Sequence, residues 1–218
     1  MSKTFHVVAI DGGAGTGKST TASLLSKRLG LLHVDTGSHY RSITKHLLNK
    51  SIEFSRLDEY LEFEKLNLSS KVEDGRSYLA INDKVFSLEE LRSAEVNQSV
   101  SQFASHSGVR KKLFNYQRDQ QSVAREKGFS GLVMEGRDIG TIILPDADLK
   151  IFLIADQKVR ESRRNQDGEV DQIASRDELD SSRSLAPLKE SDGSLKIDSS
   201  ILGVEEVYLT IAKALGIV

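Results

Sequence analysis

The chain has 218 residues, with 30 Lys and Arg against 32 Asp and Glu, so its net charge of −2 provides no basic field for holding long nucleic acid. It contains no cysteine, which excludes disulfides, thiolate metal sites and a cysteine nucleophile. A length of 218 residues can bury one sizeable core with room for inserted flaps, and one domain with insertions is expected.

The first apolar run, His6 to Asp11, reads as a strand. Its apolar centre, Val7 to Ile10, is far too short for a secretory segment or a membrane span, so a cytoplasmic protein without a membrane partner is expected. Gly12, Gly13, Ala14, Gly15, Thr16, Gly17, Lys18 and Ser19 follow at once and fit G-x-x-x-x-G-K-[ST] between a strand and a helix. Glycines permit the positive φ angles that turn successive N–H groups inward as an anion nest, and the following helix adds its dipole. Lys18 is placed to reach phosphate as a point charge. Ser19 is placed to face Mg²⁺, a hard cation that prefers oxygen, with Thr20 beside it at the helix start.

Ala22, Leu25 and Leu29 repeat at helical spacing before a second strand, Leu31 to Asp35. Residues 63–100 read differently. Tyr78, Leu79, Ile81, Val85 and Phe86 surround an Asn82-Asp83 turn, and Leu88, Leu91 and Val96 then recur at helical spacing, as in a small β-rich insertion. Further strands are expected at Gly131 to Glu135, Leu149 to Ala155 and Leu195 to Asp198, and a last helix carries Val204, Val207, Ile211 and Leu215. Continuous apolar strands alternating with helices predict an α/β fold with a parallel sheet. The polar, Arg-rich stretch from Asp156 to Ser182, broken at Asp167 and Gly168, suits a flap.

A phosphoryl transferase needs cations around its acceptor, because two polyanions must be brought together. Arg41, Arg110 and Arg137 stand beside strand ends or the insertion. Each taken alone reads more simply as a solvated or ion-paired surface group. Arg160, Arg163 and Arg164 share helical spacing, and Arg176, Asp180 and Arg183, four and three apart, project from one helix face.

Asp35, Thr36, Gly37, Ser38, His39, Tyr40 and Arg41 resemble the D-[ST]-G-x-x-Y-R motif of bacterial cytidylate kinases. The match continues in FSLEELRSAEVNQSVSQFA (86–104), Val109 and Arg110, EGRDIGT (135–141), PDA (145–147) and RDELDSSRSLAPL (176–188), so it spans nearly the whole chain. The resemblance implies a P-loop nucleoside monophosphate kinase fold, with core 1–35, 105–156 and 186–218, a CMP-binding region 36–104 and a lid 157–185. It implies transfer of a phosphoryl group from ATP, with Mg²⁺, to CMP and dCMP by a monomer. By the same resemblance, Thr36, Tyr40, Arg41, Ser101, Arg110, Arg137, Asp138, Arg176, Asp180 and Arg183 line the CMP site. Ser101, Arg110 and Asp138 stand on its cytosine side, and Lys18, Arg137, Arg160, Arg164 and Arg176 stabilise the transferring group.

The sequence departs from the family pattern in a shorter stretch between Arg164 and Arg176, at Ser38 and His39, and at Gly13, where proline is common. His39 reads most simply as a neighbour of the motif. The rival readings are a P-loop kinase for UMP, shikimate or a related acceptor, and a guanine-nucleotide switch. The switch's N-K-x-D reader is absent, since Asn49-Lys50-Ser51 is followed by Ile52.

Overall fold

A computed structural model describes residues 4–64, 66–166, 173–183 and 185–217, and of 164, 166 and 173–176 only the backbone. In chain order the elements begin with β1 (His6–Gly12), α1 (Lys18–Leu29), β2 (Leu31–Asp35) and α2 (Thr36–Asn49). A 3₁₀ turn at Phe54–Arg56 leads into α3 (Leu57–Phe63), followed by β3 (Leu68–Glu73), β4 (Arg76–Ile81) and β5 (Lys84–Val85). Helices α4 (Leu88–Leu91), α5 (Ala94–Ser105) and α6 (Ser107–Glu126) precede β6 (Gly131–Gly136), a π-helical turn at Ile139–Ile143, and β7 (Leu149–Ile154). Then come α7 (Gln157–Gln166), α8 (Ile173–Ser182), β8 (Leu195–Asp198) and α9 (Val204–Ala214).

The sheet runs β3-β4-β2-β6-β1-β7-β8, with β5 on β4. The run from β2 to β8 is parallel throughout, and each of its strands matches one of the five apolar runs. Alternation within a strand that is covered on both sides explains why those runs are continuous. Val8 and Ile10 pack with Ala22 and Leu25 of α1 and Val207 and Ile211 of α9, while Val7 and Ala9 pack with Leu32, Met134 and Ala124 of α6.

The strands read as an insertion join this same sheet. Arg76 and Ser77 of β4 pair in parallel with His33 and Val34 of β2, and β3 and β5 flank β4 antiparallel. Asn82 and Asp83, both with positive φ, make the tight turn into β5. The apolar residues 78–86 and helices α2 to α6 share a separate core containing Tyr40, Ile43, Leu47, Leu79, Ile81, Phe86, Phe103 and Leu113. The helical pattern from Leu88 to Val96 splits at Ser93, whose side chain accepts the Val96 N–H and starts α5, and Leu88 itself is exposed.

Strand packing is tightest where β6 begins. A Cβ on Gly131 would lie 2.1 Å from the His6 carbonyl oxygen of β1 and 2.8 Å from Leu31. Gly131→Ala must therefore push β1 and β6 apart. We expect it to lower unfolding free energy by roughly 1–3 kcal/mol, read by urea titration, whereas exposed Lys111→Ala should stay within about 0.5 kcal/mol of the parent.

Candidate active site

The carboxyl ends of β1, β2 and β6 open on one cleft of about 960 Å³, the place where parallel α/β sheets bind ligands. Its floor is the turn between β1 and α1. Gly15 and Gly17 hold φ of 72° and 85°, which an L side chain resists, so the backbone curls as the glycine motif requires. Gly12, Gly13 and Thr16 form the inner side of the curl, where the Thr16 hydroxyl donates to the Gly13 carbonyl at 3.0 Å. Ala14, Gly15, Gly17, Lys18, Ser19 and Thr20 face the cleft.

The Lys18 ammonium bonds the Gly13 carbonyl oxygen at 2.6 Å. Burial, joined by repulsion from Arg137, pulls its pKa down to about 7, against the opposing pull of Glu135, Asp177 and Asp11. Ser19 donates its hydroxyl to Glu135 at 2.8 Å. Glu135 is the penultimate residue of β6 and is 3% exposed, and its other oxygen meets Nε2 of His33 at 2.8 Å. Asp11, the penultimate residue of β1, accepts the N–H groups of Ile139 and Gly140 at 2.8 and 2.7 Å, pinning the π-helical turn after Arg137 and Asp138. Burial raises the Asp11 pKa to about 6, with those two N–H bonds opposing.

The side of the cleft facing the glycine turn is built from paired charges. Arg110 on α6 pairs with Asp138, donates to the Ala104 carbonyl at 3.2 Å and lies over the Tyr40 ring at 5.4 Å. Burial raises the Asp138 pKa against the pull of Arg110. Asp180, 3% exposed, takes Arg137 on one oxygen at 2.9 Å and Arg183 on the other. Burial lowers the Arg183 pKa, with Asp180 opposing, and pushes the Tyr40 phenol up to about 12. Thr36 donates to the Glu135 carbonyl at 2.8 Å. Arg41 donates to the Leu91 carbonyl at 2.9 Å and to Asn97. Thr36, Tyr40, Arg41, Ser101, Arg110, Arg137, Asp138, Asp180 and Arg183 all line the cleft.

Two sequence candidates, Arg164 on α7 and Arg176 on α8, have side chains outside the described residues. Arg160 pairs with Asp177 of α8 and donates to the Ala14 carbonyl at 3.2 Å. Arg163 lines the cleft and donates to the Ser199 carbonyl at 2.7 Å. His39 is fully buried, packs edge-on against Tyr116 at 5.1 Å and has no polar partner on either ring nitrogen. Burial takes its pKa down to about 4, so it is a neutral core group.

Sequence reasoning missed Asp11, Glu135 and Asp177. Asp177 accepts the Ala14 N–H at 2.9 Å, so a carboxylate from α8 sits on one of the donors of the phosphate cradle. A signal existed for the first two, since each is an acid closing an apolar run, Asp11 directly before the glycine turn and Glu135 within the EGRDIGT motif. Nothing local marked Asp177.

Among the described residues no cluster of three or more His, Asp or Glu could cage a metal ion, and no helix is long and apolar enough to cross a membrane. The profile of the family described as cytidylate kinase matches residues 8–216. The chain is 38% identical to a cytidylate kinase of Bacillus thuringiensis, covering 97% of this chain and 95% of that one. It is 36% identical to a cytidylate kinase of Acholeplasma laidlawii, covering 91% and 90%. Among solved structures, the fold resembles shikimate kinase from Acinetobacter baumannii at a TM-score of 0.51 and 12% identity, covering 98% of this chain and 94% of that one.

The depressed Lys18 pKa sets a proton test. Above pH 7 the free protein holds a largely neutral amine, and phosphates favour the ammonium, so nucleotide binding should take up protons from pH 7 towards 10.5, the ordinary lysine value. Calorimetric titration of ADP at pH 8 in buffers of different ionisation heat should show uptake of up to about one proton. The same titration of Lys18→Met should show none, and affinity of the parent should fall as pH rises through this window.

Proposed function

The chain belongs to the cytidylate kinase family, whose members phosphorylate CMP with ATP, and we propose that it does so through the residues gathered in this cleft. The supporting observation is the convergence of a phosphate cradle and a ring of carboxylate-held arginines on one space.

In this reading the triphosphate lies along the turn from Ala14 to Thr20, with Lys18 on its terminal phosphates. To reach the Ala14 N–H a phosphate oxygen displaces the Asp177 carboxylate. Nucleotide binding and movement of α8 are therefore one event, as expected of a lid over 157–185. Freed from Asp177, Arg160 can turn to the transferring group, alongside Arg137, Arg164 and Arg176. CMP, or dCMP, occupies the region 36–104 against the core 1–35, 105–156 and 186–218. Its phosphate meets Arg41 and Arg137, while Arg110, Asp138 and Ser101 offer donors and acceptors to the base edge. Asp180 is an acceptor for a ribose hydroxyl and keeps Arg137 and Arg183 aimed inward.

A CMP phosphate oxygen attacks the γ phosphorus in line, the bond to the β-γ bridging oxygen breaks, and ADP leaves, with no covalent enzyme intermediate and no essential general base. Ser19 and Glu135 fit Mg²⁺, which keeps several waters and takes few protein oxygens in kinases. Held there, the ion would supply positive charge that offsets the charge of the phosphates. In this reading the chain acts as a monomer.

The direct check is ADP release with Mg·ATP and, separately, CMP, dCMP, UMP, AMP or shikimate, with the product identified by mass. CMP and dCMP should drive release and give CDP and dCDP; turnover with another acceptor and silence with cytidylates would discard the acceptor assignment. Lys18→Ala should lower kcat roughly 10²–10³-fold. Arg41→Ala and Asp180→Ala should instead raise the KM for CMP by roughly 10²-fold, because the first removes a half-buried cation facing the acceptor and the second frees Arg137 and Arg183 from the carboxylate that aims them.

A further inference from the structure

We propose that His33 is a positioning residue for the metal side of the site, fixing the carboxylate of Glu135 so that it faces the Ser19 hydroxyl. This rests on the reading that Ser19 and Glu135 face Mg²⁺.

In the register of β2 against β6, His33 pairs with Val133. Glu135 stands two residues further along, on the same face and at the diagonal a long side chain can span. The imidazole reaches it, with Nε2 2.8 Å from one Glu135 oxygen, while the other oxygen accepts from Ser19 at 2.8 Å. The three residues make a chain from the interior of the sheet to the first turn of α1.

His33 and Glu135 are 1% and 3% exposed, so water does not orient either group. A buried carboxylate accepts and does not donate, which places the ring proton on Nε2. The remaining nitrogen, Nδ1, has no hydrogen-bond partner among the described residues, where the Glu135 contact is the one polar bond the ring makes. An apolar residue would fill this place between Leu32 and Val34 without an orphaned nitrogen. The imidazole therefore costs packing energy, and what it gives in return is a fixed Glu135 rotamer. Mg²⁺ tolerates little angular error in its ligands, and a partner that holds a metal-facing group typically changes metal affinity by about 10–100-fold.

The test compares ADP affinity by calorimetry with Mg²⁺ and with EDTA, in the parent and in His33→Leu, His33→Gln and Glu135→Gln. For His33→Leu we expect the Mg²⁺-dependent gain in ADP affinity to shrink roughly ten-fold. Its metal-free ADP affinity and its CMP affinity should remain those of the parent. His33→Gln, which keeps an N–H donor, should recover most of the gain. If the gain survives in His33→Leu but falls in Glu135→Gln, His33 only packs and the proposal is overturned. An equal loss in His33→Gln would overturn the hydrogen-bond role, and an undiminished gain in Glu135→Gln would instead sink the metal reading beneath it. His33→Met, of similar length and without a donor, reads the same quantity if the leucine variant does not fold.

Discussion

A cation withdrawn from water must be given a counter-charge, and the cleft meets that requirement with the protein's own acids. Asp138 holds Arg110, Asp180 holds both Arg137 and Arg183, and Asp177 holds Arg160. Without these carboxylates the guanidinium groups would turn out to solvent, and a polyanionic substrate would have to order them itself. The pairs keep the positive charge in place at a density that a phosphate can still outbid.

The sheet supplies the geometry for this. Parallel strands end on the same side, so the terminal residues of β1, β2 and β6 are brought side by side from positions far apart in the chain. Asp11 and Glu135 stand next to two of those ends and do different work there. Asp11 spends both oxygens on N–H groups of the π-helical turn and so aims the Arg137-Asp138 pair. Glu135 faces the glycine turn through Ser19. Acids near adjacent strand ends thus orient the π-helical turn and the glycine turn separately.

The contact between α8 and the glycine turn is made by one carboxylate. A carboxylate is a poor but adequate substitute for a phosphate oxygen on a backbone N–H. Asp177 satisfies the Ala14 donor and at the same time holds Arg160 against the turn. The same helix carries Asp180, and Arg183 directly follows it, so α8 joins the glycine turn to the arginine pair across the cleft.

The sequence by itself determined the five parallel strands, the glycine turn and the Asn82-Asp83 turn, because each depends on local spacing or on backbone freedom at named residues, while the family motifs pointed to most of the cleft's arginines. It also carried the family, through motifs that run from Gly12 to Leu188. Only the tertiary structure decided how charges are paired and which helices bring them. Asp177 meets Ala14 across 163 residues, Glu135 meets Ser19 across 116, and β4 adds to the sheet by lying beside β2. Such partners are chosen by strand register and helix packing. A pattern of residue types along the chain lists the charged groups, but the distance between two of them is a property of the folded sheet.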